Sequence, residues 1–324
     1  AILIVSGPTV VGPLLRHIRP HGATGQILKW ESILIDPIGA MLATIVLEII
    51  VASRGEVGEV AAGLDVGSVV GQVLVFVGIG VGMGVVAALI VIPLLRWHIL
   101  PDRMHDSLIL ALSLVAFVIS NEMAAESGLL TVTVMGLVLA NQRWAEISHV
   151  RDFKENLVVL ILPAVFVILA ARLEPEQITD VGWLVAGVVA VLVMIGRPLA
   201  VWLSTTPSGL TRKEKVLLAW VYPRGVVAAL VASVFAEELI HLEVPGAELL
   251  VPVTFVVIAS TAVIYGLSSP WVARWLGLAE SDPQGILILG AGPVERRIAV
   301  ALDEAGVDVL LAATSRAHER EARM

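Results

Sequence analysis

Two carboxylates open the apolar stretch "WESILIDPIGAMLATIVLEIIVAS": Glu31, and then Asp36 one helical turn after Ser32. At i and i+4 the Ser32 hydroxyl and the Asp36 carboxylate share a helix face. Pro37 removes the next backbone donor and predicts a kink or local unwinding at the acid. Carbonyl oxygens freed by such a break, with the carboxylate and Ser32, are hard oxygen ligands for a cation, and the carboxylate alone takes a proton. The earlier stretch "IVSGPTVVGPLLR" places Gly7, Pro8, Gly12 and Pro13 inside an otherwise apolar helix, a second predicted interruption where Ser6 and Thr9 supply oxygens. Arg197 in "MIGRPLAV" and Arg224 in "WVYPRGVV" each sit beside proline in an apolar run. A guanidinium there needs a carboxylate or carbonyl partner. Glu31 is the natural partner for one of them, spacing leaves open which, and Asp36 remains free to exchange protons and cations.

The elements that carry these groups belong in lipid. Of the 324 residues 57% are hydrophobic and 15% charged, and the mean hydropathy is +0.92, well outside the composition of soluble globular domains. Apolar windows fall at about 1–15, 33–52, 70–95, 107–120, 128–140, 156–171, 183–203, 216–236 and 249–268, which predicts an all-α polytopic membrane protein. Ionisable groups inside such spans are expensive and face polar cavities, and discontinuous helices at the midplane mark ion sites in transporters. The chain has no cysteine, so thiolate metal sites and disulfides are excluded. No basic stripe with interleaved aromatics points to nucleic acid.

Basic residues alternate between connections. Arg16, Arg19 and Lys29, then Arg96 and Arg103, then Arg143, Arg151 and Lys154, then Arg212, Lys213 and Lys215 fall in every second loop, while "FAEELIHLEVPGAE" has none. Lys/Arg-rich short loops stay in the cytoplasm, which predicts extracytoplasmic connections at 53–69, 172–181 and 237–248 and a cytoplasmic C-terminus in a cell (inner) membrane.

After "GLAESDPQG" the texture changes to "ILILGAGPVERRIAVALDEAGVDVLLAATS", a short strand, a glycine turn, a helix and a second strand: the opening of a Rossmann-like α/β unit. The predicted organisation is a membrane domain over 1–278, a linker over 279–285 and the start of a cytoplasmic domain over 286–324. The chain reads as a fragment truncated at both ends. Gly290 and Gly292 make a turn ahead of a helix N-terminus that could hold a phosphate. Glu295 stands at the third glycine position and Ala313 where an acid would hold a ribose hydroxyl. Weak or no dinucleotide affinity is expected, and no cofactor.

Taken in order, "SGPTVVGPLLR", "WESILIDPIGA", "ESGLLTVTVMGLVLAN", "FKENLVVLILPAVF", "GRPLAV" and "YPRGVVAALVASVFA" resemble the core of bacterial sodium/proton antiporters of the NhaP-like branch, more closely those with a C-terminal TrkA-N (RCK-type) domain. The resemblance implies an inverted-repeat fold with broken helices, a mobile core and a homodimeric scaffold. It implies a non-enzymatic exchanger of Na+ or K+ for protons serving pH homeostasis, with Asp36 as the ion- and proton-binding carboxylate, Ser32 and Ser6 as neighbouring ligands and Glu31 as a structural acid. This sequence departs from the pattern at Ile35, where Asn is usual, and at Gly7, where Asp is usual. The lone carboxylate implies electroneutral one-for-one exchange. The alternatives are a TrkA-N-regulated potassium efflux channel, against which stands the lack of a filter-like TVGYG stretch, and a nicotinamide oxidoreductase, resting on "GAGPVE" alone. The topology is checked by single-cysteine labelling on this cysteine-free background: a cysteine at Ser281 should be unreachable from outside intact cells, and labelling there reverses the assignment.

Overall fold

Backbone amides in hydrocarbon must be satisfied within their own segment, and the apolar windows accordingly form helices. The computed structural model describes residues 2–20, 22–53, 66–96, 102–144, 148–171, 175–206, 208–279, 285–290 and 292–312. The chain divides into two compact units, Ala1–Leu278 and Ala279–Met324. The first begins with a 3-10 turn at Ile2–Ile4, then α1 (Pro8–Ile18), α2 (Thr24–Ser53), α3 (Val66–Arg96), α4 (Asp102–Met123), α5 (Ser127–Asn141) and α6 (Ser148–Ala171). It continues through α7 (Pro175–Val191), a π-helical turn at Leu192–Gly196, α8 (Arg197–Thr205), α9 (Arg212–Trp220), α10 (Val226–His241) and α11 (Leu250–Trp275). Among the described residues five helical stretches are long and apolar enough to cross a membrane: Thr24–Val51, Gly67–Arg96, His105–Met123, Val185–Thr205 and Ala247–Trp275.

Two expectations are corrected. Of the kink or unwinding expected at Pro37, the unwinding does not occur, because α2 is helical from Thr24 to Ser53 with the proline inside it. The window at 216–236 is not one span but two helices, α9 and α10, separated by five buried non-helical residues, Val221 to Gly225. The interruption expected near Gly7 is present, between the 3-10 turn and α1.

Helices α3, α4 and α5 form a tightly packed bundle. Gly80 and Gly84 let α3 approach α5 so closely that a methyl on Gly80 would fall 2.6 Å from Leu130 Cδ2, and one on Gly84 2.6 Å from the Thr131 carbonyl. Small residues one turn apart permit such contact in membrane helices. Beside this seam Ser120 lies between Ser127 (2.7 Å) and Thr131 (2.6 Å), and Thr131 donates to the Gly80 carbonyl. These buried hydroxyls satisfy one another.

Cross-connections sort the loops by face. Arg16 pairs with Glu155 at 3.2 Å, Gly22 abuts the Glu214 carboxylate, and Lys215 donates to the Thr205 carbonyl at 2.8 Å. The segments around residues 16–22, 155 and 205–215, all from the basic connections, therefore share one face. Glu48 accepts from Gln72 at 2.8 Å at the opposite ends of α2 and α3. At α9 the Thr211 hydroxyl and the Glu214 carboxylate form a reciprocal capping box, which fixes where that half-helix starts.

In the second unit β1 (Ile286–Leu289) and β2 (Val309–Ala312) pair in parallel, Ile286 opposite Val309, with α12 (Pro293–Glu304) between them in sequence. Gly290 adopts φ +126, a conformation open to glycine. Ala313 lies outside the described residues.

Candidate functional site

The two interruptions meet. A methyl on Gly225 would overlap the Gly7 amide nitrogen and lie 2.7 Å from Gly7 Cα, so the two breaks touch backbone to backbone and only glycine fits at position 225. Val5, Ser6 and Gly7 on one side and Val221 to Gly225 on the other are all buried. Non-helical backbone at such depth survives only when protein groups or a polar cavity satisfy it. Because the C-terminal end of α1 and the N-terminal end of α9 share a face, the broken helices cross antiparallel. The N-termini of α1 and α10 and the C-termini of the 3-10 turn and α9 thus converge on the crossing.

Opposite charges answer these ends. Asp36 Oδ2 lies 3.5 Å from where a Gly7 methyl would be, beside the α1 N-terminus, where a helix dipole favours an anion. Gly39, one turn further along α2, abuts Val5 and allows the approach that brings Asp36 in. The free carbonyl ends meet arginine. Arg197 Nε donates to the Leu218 carbonyl of α9 at 2.9 Å, and Arg224 Nη1 to the Ile4 carbonyl at 3.4 Å.

The choice of partner for Glu31 is resolved by geometry. Arg197 forms a two-pronged ion pair with Glu31, Nη1 to Oε1 and Nη2 to Oε2, the latter 2.8 Å. Arg224 instead packs over the Tyr222 ring at 4.5 Å, and Arg197 packs over the same ring at 4.1 Å. One tyrosine therefore contacts two guanidinium groups through its π-system, while its hydroxyl donates to the Ile4 carbonyl at 2.7 Å. Tyr222 escaped the sequence reading; its place next to a Pro-x-x in an apolar window was the available signal. The π turn was missed as well. It carries an Arg197 N–H to Leu192 carbonyl bond and ends directly at the arginine it orients.

Of the expected ligands, Ser6, Thr9 and Asp36 each keep a buried oxygen without a hydrogen-bond partner: Oγ, Oγ1 and Oδ1. Buried polar atoms are nearly always paired, so these three oxygens, in the first break, at the start of α1 and on the adjoining α2, are the candidate ligands at the crossing. Ser32 is fully buried and its hydroxyl donates to the Lys29 carbonyl at 2.9 Å, which leaves its lone pairs to accept or coordinate. Among the described residues no cluster of three or more His, Cys, Asp or Glu exists. The donor set is one carboxylate with neutral oxygens, suited to a monovalent cation more than to a divalent one.

In the second unit the Glu295 carboxylate folds back on the glycine turn: methyl groups on Gly290 and Gly292 would both meet it. It thereby occupies the place at the α12 N-terminus that a phosphate would take.

Two interrupted helices cross beside the half-buried Asp36, with the Glu31–Arg197 ion pair alongside. The chain belongs to the transmembrane sodium/hydrogen exchanger family, whose model matches residues 1–275. It is 32% identical over 168 residues to the K(+)/H(+) antiporter NhaP of Alkalimonas amylolytica, covering 51% of this chain and 29% of that protein. It is 25% identical over 294 residues to the K(+)/H(+) antiporter NhaP2 of Shewanella sp. strain MR-4, covering 90% of this chain and 49% of that one. The chain thus spans about half or less of the length of these curated relatives. The solved sodium proton antiporter MjNhaP1 from Methanocaldococcus jannaschii at pH 8 superposes with TM-score 0.69 at 18% identity, over 85% of this chain and 69% of its own, a shared fold.

The contact at Gly225 gives a test. Gly225→Ala should force the two breaks apart and lower thermal stability in detergent by about 1–3 kcal/mol, the usual cost of overpacking. Gly136→Ala, with open space beside it, should unfold like the parent.

Proposed function

We propose that this chain is the translocation machinery of a secondary active antiporter exchanging Na+ or K+ for protons. What carries the reading is the trio of orphaned oxygens on Ser6, Thr9 and Asp36 at the crossing of two broken helices. Asp36 binds a proton or a cation, not both. In either state its charge is neutralised, and only the neutralised site crosses the low-dielectric barrier. Ser6, Thr9 and Ser32 complete the cation shell with neutral oxygens. Because one carboxylate exchanges one charge for another, the cycle is one-for-one and electroneutral. No covalent step occurs, so the protein is a carrier and not an enzyme, and it needs no resident cofactor.

Glu31, Arg197 and Arg224 are the fixed electrostatics of this cycle. Arg197 is spoken for by Glu31 and the Leu218 carbonyl, and Arg224 reaches Ile4 and Tyr222 through the end of its guanidinium while its Nε keeps no partner. Neither holds Asp36 permanently ionised, which leaves that acid free to titrate. In a cell membrane the basic loops would face the cytoplasm with the second unit, the protein acting as a homodimer in pH homeostasis. The strand-helix-strand unit is read as the start of a TrkA-N (RCK-type) regulatory domain. Glu295 at its glycine turn supports weak or no dinucleotide binding at Gly290 and Gly292.

Asp36→Asn should abolish cation-driven proton movement in proteoliposomes while the protein still inserts. Near-normal exchange by this variant removes Asp36 from the role. For the second unit, calorimetry of the intact protein with NADH and NAD should detect no micromolar binding, and tight binding would return the glycine turn to the dinucleotide class.

A further inference from the structure

The crossing contains a gap with a definite owner. Gly7 is buried, and a methyl placed on it would lie 3.2 Å from Thr9 Oγ1 and 3.5 Å from both Asp36 Oδ2 and Gly225 Cα. All three neighbours stand at or near van der Waals distance. The space beside Gly7 is therefore about the size of one methyl group, and it is bordered by Thr9 Oγ1, an oxygen that the proposed function assigns to the cation, and by Oδ2 of the Asp36 carboxylate, whose Oδ1 is the orphaned atom. Conformation does not demand the glycine, since its φ of −69 and ψ of 149 are ordinary extended values open to any residue. Gly225 is different, because backbone contact with Gly7 forbids a side chain there. At Gly7 the absence of a side chain leaves volume and nothing else.

We infer that Gly7 is a specificity-determining position. Its missing side chain widens the cation site between Thr9 and Asp36 and sets a preference for a large monovalent cation, potassium over sodium and lithium. The inference rests on the antiporter reading and deepens it.

Two physical terms act in the same direction. A smaller cation holds its water more tightly, and stripping that water must be offset by a strong field from the site. Here the site offers a single carboxylate and neutral oxygens, with Arg197 and Arg224 committed to other partners. A weak field favours the ion that dehydrates easily. Site width is the second term: oxygens held apart by the gap meet a large ion at contact distance and a small one only by collapsing inward. Whichever of cavity size and field strength dominates, both select the larger ion. A methyl at Gly7 acts on width alone, pressing Thr9 Oγ1 and leaving the carboxylate's charge unchanged. It must therefore penalise potassium more than sodium or lithium.

The experiment uses the intact protein in proteoliposomes, with proton movement driven in turn by potassium, sodium and lithium. The parent should show a lower half-saturating concentration for potassium. Gly7→Ala should raise the potassium value relative to sodium by roughly tenfold, the discrimination a single buried methyl delivers. Gly12→Ala, on the same helix with nothing near its added methyl, should leave all three values unchanged. If Gly7→Ala inserts but carries no ion, protection against heat unfolding in detergent by each ion replaces flux. Lost potassium protection with sodium protection retained supports the inference. An unchanged potassium-to-sodium ratio in the alanine variant, by either readout, overturns it while the antiporter reading stands. A parent protein that exchanges no monovalent cation for protons overturns the antiporter reading itself, and this inference with it.

Discussion

Bringing two stretches of non-helical backbone together inside a membrane domain is the constraint on which the other features depend. Every unpaired amide or carbonyl there would cost several kcal/mol in hydrocarbon, and helix ends bring partial charges with them. The chain meets the steric part with a glycine pair, Gly7 against Gly225. It meets the electrostatic part with Tyr222 and Arg224 of the second break itself, which bond the Ile4 carbonyl, and with side chains delivered from helices that are not broken at the crossing. Asp36 comes from the continuous α2, next to the α1 N-terminus. Arg197 arrives from α8 at the α9 C-terminus, and Thr261 of α11 accepts the Arg224 amide. The continuous helices thus act as a frame that supplies partners to the interrupted ones.

This division also separates permanent from exchangeable charge. The Glu31–Arg197 pair satisfies both carboxylate oxygens and a helix terminus at once, so removing either partner would strand a charge. Tyr222 lets two guanidinium groups approach one another across an aromatic ring, and its hydroxyl and Arg224 share the Ile4 carbonyl.

Much of this was legible in the sequence and part of it was not. Five long apolar helices followed from hydropathy, though not the division of the 216–236 window into two, and the first break followed from Gly7–Pro8 in an apolar run. The need of Arg197 and Arg224 for partners followed from burial alone. Proline and glycine, however, stand together at Gly12–Pro13 and at Pro37 and Gly39, where the helices continue, as well as at Pro223 and Gly225, where the helix stops. Local composition does not distinguish these cases. What distinguishes them is whether residues far away in the chain supply bonding partners: Ile4 receives Tyr222 and Arg224, and Leu218 receives Arg197. The identity of the Glu31 partner was hidden for the same reason.

The π turn at Leu192–Gly196 has a consequence for how this helix tolerates change in length. One residue beyond the α-helical count sets everything after it back by about 100° around the axis. Arg197 directly follows that step, so its direction is set by the phase of the helix and not by the choice of residue alone. A straight α-helix of the same composition would carry the same arginine and aim it away from Glu31. Single-residue insertions or deletions between α7 and α8 are therefore changes of aim: an ion pair here is encoded by a count as much as by two letters.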